Sequence, residues 1–489
     1  MESRKRNIII AIMVAMFLGA VEGTIVTTAI PTIVRELNGF ELISWVFSAY
    51  LLTSASSTPI YGKLSDLYGR KNVLCIGIII FLIGSSLCGL SQSMAQLIGF
   101  RALQGLGAGA IFTVTYTIVG DVFTLSERAK VQGALSTVWG VASLLGPFLG
   151  GFLIDNLSWN WIFYINIPFG ILSIILLQKN LSENSFERKK PSIDYAGIVV
   201  LTGAILTLLY GVLVGGNSDS FYSSSTSFYF IISAVFLMLF YFIEKRAQEP
   251  IMPFEIFTKT NIIINIISFL ASGVLIGADV YMPIYLQSVL GLTATISGLS
   301  MAPMSVSWLL SSVFIAKAIT KYGARLVIIV STAIVSLSSL LLPTFGIQSP
   351  LILVMAYIFI VGFGFGGAFT TLTIVVQESV ECNNRGAATA TNSLLRTIGQ
   401  AVAVSIFGTI FNLNIVKYFN NLGIKGIKPN DLYSEHHLTT SISLEQIKIS
   451  LNSGLQVVFI SIILISILCL ILSFMLPKER NTNNLSCDE

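Results

Sequence analysis

Charge is scarce in this sequence. Asp, Glu, Lys and Arg make up 11% of its 489 residues, where a soluble globular chain carries roughly 25%, so a water-facing surface cannot be assembled from it. There are only two histidines, and the five cysteines (Cys75, Cys88, Cys382, Cys469 and Cys487) include no CxxC pair, which argues against a disulfide framework or a zinc site. His436 and His437 are adjacent in a polar segment without further ligands, a poor metal site. No GxxxxGK[ST] phosphate loop, H-E-x-x-H or G-x-S-x-G pattern occurs. Nucleotide-driven pumping and enzyme chemistry are therefore disfavoured, and no nucleotide, metal or other cofactor is expected. With 28 Lys and Arg against 24 Asp and Glu, net charge gives no reason to expect nucleic acid.

What is present is apolar length. Hydrophobic residues make up 54% of the chain, and a spanning helix needs about 20 of them in succession. Fourteen segments qualify, near 8–30, 43–62, 73–92, 96–118, 130–153, 160–178, 196–214, 227–243, 261–285, 296–316, 325–343, 350–376, 391–413 and 455–476. The first follows Arg4-Lys5-Arg6 and runs on to Pro31 through Glu22. That is longer than a secretory h-region, so it reads as an uncleaved helix.

Basic residues sort to one side of these segments. Connections on the inner side carry Lys63, Arg70, Lys71, Arg128, Lys130, Lys179, Arg188, Lys189, Lys190, Lys245, Arg246, Lys259, Lys317, Lys321, Arg325 and Arg385, whereas the short outer loops hold only Arg35. The positive-inside rule then places both termini in the cytoplasm. The expected fold is an all-α integral membrane protein of fourteen transmembrane helices, embedded in the lipid bilayer of the cell membrane.

A separation of 257 positions recurs along the chain. It carries Gly105, Gly107, Gly109, Phe112 and Thr113 onto Gly362, Gly364, Gly366, Phe369 and Thr370, Arg128 onto Arg385, and Glu22 onto Asp279. Tyr68-Gly69 matches Tyr322-Gly323 at a slightly different offset. Internal repeats facing a midplane site are common in transporters. The expected organisation is a six-helix bundle over 1–180, two inserted helices with linkers over 181–260, and a second six-helix bundle over 261–489 with an extracellular loop near 414–454.

Few charged side chains fall inside the spans: Glu22, Arg101, Asp279 and Arg396, with Glu378 near an inner end. An arginine at membrane depth costs roughly 2.5–3.5 kcal/mol, so Arg101 should face a cavity or an acid unless it snorkels to the outer interface. A carboxyl in apolar surroundings favours its neutral form, which eases proton exchange with water. Glu22 and Asp279 fit that role; the alternative for each is an acid hydrogen-bonded to a neighbouring helix.

Four runs carry more specific information. Gly62-Lys63-Leu64-Ser65-Asp66-Leu67-Tyr68-Gly69-Arg70-Lys71 joins spans two and three. Its glycines let helix ends approach, and Asp66 can face a helix N-terminus or a cation to latch the inner side. Span four contains Arg101-Ala102-Leu103-Gln104-Gly105, span five Gly146-Pro147-Phe148-Leu149-Gly150-Gly151, and span one Glu22-Gly23-Thr24-Ile25-Val26-Thr27-Thr28-Ala29-Ile30-Pro31.

Together these runs resemble the signatures of the major facilitator superfamily, in particular its 14-helix drug:proton antiporters. Gly62, Asp66, Gly69, Arg70 and Lys71 match the cytoplasmic gate motif, Arg101 and Gln104 an R-x-x-Q-G motif tied to proton coupling, and Gly146, Pro147, Gly150 and Gly151 the antiporter motif. The chain departs from the family pattern in having Glu22 where Asp is commoner and Asn160 where an arginine often lies between Trp159 and Trp161. Ala403 and Val404 replace the Gly-Pro pair in the second half.

The resemblance implies proton-coupled export of small molecules such as drugs or toxic lipophilic and cationic compounds, the proton being the coupling ion. A dedicated exporter of one metabolite, antibiotic or lipid precursor on the same scaffold is the alternative. Glu22, Asp279 and Arg101 are the expected proton and substrate residues, Asp279 either as a second proton carrier or as the partner of a cation. Trp45, Tyr50, Gln104, Tyr116, Trp139, Trp308 and Phe365 are candidates for a cavity in which aromatic area holds hydrophobic ligands.

Overall fold

A computed structural model of the chain describes residues 2–123, 125–181, 194–217, 224–247, 252, 254–380, 385–424 and 443–477. Among them the chain is helical throughout, without strands. The helices are α1 (Glu2–Leu37), α2 (Ile43–Tyr68), α3 (Arg70–Gly89), α4 (Met94–Val122) and α5 (Leu125–Asn156). Next come α6 (Trp161–Asn180, broken at Ile165), α7 (Tyr195–Asn217) and α8 (Ser224–Glu244). The remainder are α9 (Lys259–Ile284, running into a π turn over Tyr285–Val289), α10 (Ala294–Tyr322), α11 (Ala324–Ser339), α12 (Leu351–Glu378), α13 (Arg385–Asn421) and α14 (Leu444–Phe474). Every apolar segment read from the sequence falls on one of them. Eleven helices are long and apolar enough, within the described residues, to cross a membrane.

Sequence signals explain several boundaries. Ser93 and Thr258 accept hydrogen bonds from the backbone of Gln96 and Asn261 and so cap α4 and α9, and Ser443 forms a capping box with Gln446 ahead of α14. The α2–α3 and α10–α11 turns each pivot on one glycine, Gly69 (φ 92°) and Gly323 (φ 82°). That region of backbone space penalises any residue with a Cβ. The Tyr-Gly match between the halves is therefore a matched turn.

The helices cluster into two compact units. Unit 1 takes Met1–Glu249 with Leu292–Leu299, and unit 2 takes Pro250–Gly291 with Ser300–Lys428 and the C-terminal segment from Thr439. In unit 1, α1 packs on α4, α5 and α6; in unit 2, α9 packs in the same way on α12, α13 and α14. The glycine repeat follows suit. Gly105 and Gly109 of α4 abut Tyr50 and Ser54–Ser57 of α2, while Gly107 abuts Gly77 and Phe81 of α3. In unit 2, Gly362 and Gly366 abut Met304 and Trp308 of α10, while Gly364 abuts Ser331 and Val335 of α11. Small residues at this spacing let backbones touch, the usual means of packing helices in lipid. The inserted pair α7 and α8 packs on itself, with α7 against α2.

The two units differ in one polar detail. At the start of α9, Asn392 of α13 donates to Asn265 (2.8 Å) and Ser268 (2.9 Å), Asn265 donates to Asn261 (2.8 Å), and Asn261 donates to the Ile256 carbonyl (2.7 Å). The repeat positions of Asn392, Asn265 and Ser268 in unit 1 are Leu135, Ile8 and Ala11, all buried and apolar.

Candidate functional site

Glu22 lies past the middle of α1 and is completely buried, and Arg101 of α4 is 1% exposed. Their side chains meet at 2.5 Å between Arg101 Nη1 and Glu22 Oε1. The other carboxylate oxygen accepts from Asn166 Nδ2 of α6 at 2.6 Å. Arg101 also donates to Gln104 Oε1 (2.8 Å) and, through Nε, to the Val46 carbonyl of α2 (3.3 Å). Ser85 of α3 closes the network, its Oγ accepting from Gln104 Nε2 (3.1 Å) and Asn166 Nδ2 (2.9 Å). The Tyr50 ring lies 4.2 Å from the guanidinium carbon, a cation–π contact that helps to hold a desolvated charge. The Tyr50 hydroxyl is buried without a partner among the described residues. Five helices thus converge on one acid and one base.

Arg101 therefore does not snorkel to water; it faces an acid, and that acid is Glu22. Each charge satisfies a cost that neither could bear alone: removing one partner of a buried pair costs about 3–5 kcal/mol. Asn166 and Ser85 are network members that the charged-residue reading passes over. An amide in the middle of the apolar stretch Trp161–Asn180 is the signal that marks Asn166. Tyr50 and Gln104, read as candidate cavity lining, are buried parts of this network.

The antiporter motif lies directly behind Glu22. Gly146 abuts Thr24, and Gly150 abuts Thr28 and Ile25, so α5 contacts α1 within the two turns that follow the acid. Thr24 donates to the Ala142 carbonyl at 3.3 Å. Pro147 is buried beside them, and Gly151 lies against Ala294 in the 292–299 segment of the same unit. In unit 2 the position of Gly150 is held by Phe407, which meets Tyr281 edge-on at 6.2 Å. Aromatic bulk there takes the place of backbone contact.

In the cytoplasmic gate motif, Arg70 donates to Ser65 (2.6 Å), Ser65 to the Gly62 carbonyl (2.7 Å), and Lys71 to the Gln178 carbonyl near the end of α6 (2.9 Å). A cation at a helix C-terminus is favourably placed. The side chains of Asp66, Arg128 and Arg385 lie outside the described residues, as do His436, His437 and residues 425–442 of the predicted extracellular loop, whose flanks 414–421 and 444–454 are helical extensions of α13 and α14. At the opposite end of α3, Asn160 donates to the Gly89 carbonyl (2.7 Å) and Trp159 to Glu36 (2.7 Å). The asparagine thus supplies a donor to the end of α3 without the charge of an arginine.

Asp279 is placed quite differently from its repeat mate. It is half-buried on α9 and, among the described residues, makes no hydrogen bond or ion pair. Tyr357 is within electrostatic reach of it, and the hydroxyls of Tyr357 and Tyr281 are buried without partners. Elsewhere in unit 2, Trp308 stacks on Phe369 (5.6 Å, 13°) and Phe365 (6.1 Å, 29°), with Phe365 fully buried. In unit 1, Trp139 and Tyr116 are 38% and 47% exposed, whereas Trp45 packs edge-on against Tyr210 of α7 at 6.0 Å.

This site and fold can be set beside known proteins. The chain is similar to Multidrug resistance protein 3 of Bacillus subtilis (strain 168), 36% identical over 410 residues, covering 84% of this chain and 80% of that protein. It is also similar to Multidrug efflux pump SdrM of Staphylococcus aureus (strain N315), 30% identical over 411 residues, covering 82% and 89%. Among solved structures, a bacterial homolog of the human lysosomal transporter Spinster superposes with a TM-score of 0.68 at 13% identity, covering 96% of each chain. A D-xylose-proton symporter superposes with a TM-score of 0.62 at 14% identity, covering 86% of this chain and 92% of that one. The sequence pattern of the Major Facilitator Superfamily matches residues 12–404. With most of its length accounted for in this way, the chain is a multi-pass membrane protein and belongs to the major facilitator superfamily.

Proposed function

We propose that this protein is a proton-coupled antiporter that exports lipophilic and cationic compounds across the cell membrane, with Glu22 as its proton site. In this reading fourteen helices cross the bilayer in a 6 + 2 + 6 arrangement, both termini lie in the cytoplasm, and the proton is the coupling ion. The names of its relatives, a multidrug resistance protein and a multidrug efflux pump, support export of drugs. The observation that carries the coupling is the buried Glu22–Arg101 pair.

Protonation of Glu22 cancels the anion that holds Arg101, and the freed guanidinium must find other acceptors. Because its present ones come from α1, α2 and α4, proton occupancy is linked to how these helices pack. That linkage is what an antiporter needs: one packing favoured with the proton bound, another without it. Inward movement of each proton down the membrane potential supplies roughly 2.3 kcal/mol per 100 mV, and no nucleotide is required.

The test is dye efflux from proteoliposomes containing the full chain under an imposed proton gradient. Ethidium extrusion should collapse on addition of a protonophore; extrusion that continues unchanged rejects the proposal. Asp279, half-buried and without a basic or hydrogen-bonding partner among the described residues, is assigned to the substrate side. Asp279→Asn is expected to weaken export of a divalent cation by about tenfold, the order of one charge-assisted contact, and to leave a neutral substrate unaffected. Equal loss for both would place Asp279 in the proton path instead.

A further inference from the structure

The repeat brings together four residues whose chemistry the proton mechanism does not use. Phe112 and Trp139 of unit 1 stack at 5.4 Å and 21°. The same separation of 257 positions carries them onto Phe369 and Arg396 of unit 2, and there the guanidinium carbon of Arg396 lies 4.1 Å from the Phe369 ring. Both units thus place a flat group on the same phenylalanine of the repeat: an indole in unit 1, a cation in unit 2.

Arg396 does not lie on a surface suited to lipid. Ser393, Arg396, Thr397 and Gln400 of α13 are all exposed or half-buried, and their i, i+3, i+4, i+7 spacing puts them on one helix face. On α12, Thr370, Thr373 and Gln377 form a second accessible polar row. Thr370, Gln377 and Thr397 have partners in Ser312, Thr389 and the Ser393 carbonyl, but a partly accessible arginine is costly in hydrocarbon, so the face that carries Arg396 meets water or a solute. Half-buried Trp308 completes it, stacked on the Phe369 that carries Arg396.

We propose that Arg396, held over the Phe369 ring on which Trp308 also stacks, is a specificity-determining contact for solutes that carry an anionic group on an aromatic ring system. A guanidinium presents its donors in a planar fork that matches a carboxylate or sulfonate. Contact with the Phe369 ring restrains the guanidinium, and the half-buried indole of Trp308 in the same aromatic group offers apolar area for the ring of the solute. The chain then accepts aromatic anions or zwitterions as well as the cations expected from its carboxylates. As a substrate contact this surface rests on the proposed export function; as a binding surface it stands without it.

The decisive measurement is therefore equilibrium binding, with no gradient, to the full chain in lipid nanodiscs. The probes are 2-naphthalenesulfonate, a permanent aromatic anion, and ethidium, a permanent aromatic cation. Arg396→Gln should weaken binding of the anion at least tenfold and change ethidium binding less than twofold. Arg396→Lys, which keeps the charge but loses the planar fork, should weaken the anion about threefold and serves as the deciding variant should Arg396→Gln fail to insert. Anion binding no better than to empty nanodiscs, unchanged in the variants, or lost in parallel with ethidium overturns the assignment. A protein that binds the anion with this dependence but does not extrude either probe under a gradient refutes the export function alone.

Discussion

Glu22→Gln is expected to abolish gradient-driven export while the protein still inserts, because no exchangeable proton site remains, and to cost about 3–5 kcal/mol of stability because one partner of a buried pair is removed. The glutamine keeps the length and one acceptor oxygen, so Asn166 and Arg101 lose little geometry. What disappears is the negative charge and the capacity to exchange a proton. Arg101 is then left as a buried cation against an amide, and the variant should also melt earlier in detergent.

The double variant Glu22→Gln with Arg101→Gln separates the two effects. Removing both charges takes away the unpaired guanidinium, so much of the lost stability should return, with a coupling energy of about 2 kcal/mol or more in a double-mutant cycle. Transport should not return, because no proton site is restored. Recovery of gradient-driven efflux in the double variant, or full activity in Glu22→Gln alone, would remove the pair from the coupling mechanism.

The second large effect concerns the glycine repeat. A Cβ built on Gly107 would lie 2.4 Å from the backbone nitrogen of Phe81 and 2.6 Å from the carbonyl oxygen of Gly77, and backbone cannot turn aside as a side chain can. Gly107→Val should therefore force α3 and α4 apart at a cost near the upper end of overpacking penalties, about 3 kcal/mol or more. Thermal melting and the yield of monodisperse protein would measure it. Gly99, on the same helix, has nothing within 4 Å of such a Cβ. Gly99→Ala is the control and should be neutral or stabilising by about 0.5–1 kcal/mol. A Gly107→Val protein that melts with the wild type would show that these glycines are not contact points.

Much of the fold was legible because lipid imposes a narrow rule. A helix in hydrocarbon must be apolar for some twenty residues, and the hydropathy of the chain obeys it segment by segment. The repeat was equally legible in Gly105, Gly107 and Gly109 against Gly362, Gly364 and Gly366, since residues that permit backbone contact cannot be exchanged freely for larger ones. The candidate site was legible only in parts. Glu22 and Arg101 each stood out as a charge in an apolar span, but they lie 79 positions apart and no periodicity joins them. Their pairing depends on how α1 and α4 are rotated in the bundle.

Neutral polar residues gave weaker signals still. Ser85 and Asn166 cost far less at membrane depth than a charge does, so nothing in their surroundings demanded a partner. The aromatic residues were the least decisive, because a ring suits a ligand, lipid or a neighbouring helix equally well. Trp45 went to Tyr210, Tyr50 to the underside of Arg101, and Phe365 to the interior of unit 2, whereas Trp139 and Tyr116 kept accessible faces. Only the three-dimensional packing sorts these cases.

The chain of asparagines between α9 and α13 has a mechanical consequence. Leu135 can slip past Ile8 and Ala11 with little more than a change of van der Waals neighbours, but Asn392 cannot move a turn along α9 without surrendering Asn265 and Ser268 together. Each such bond is worth about 0.6 kcal/mol in a membrane protein, and their shared donor makes them break as a set. Sliding α13 a turn along α9 therefore costs about 1.2 kcal/mol more than sliding an apolar contact of the same size.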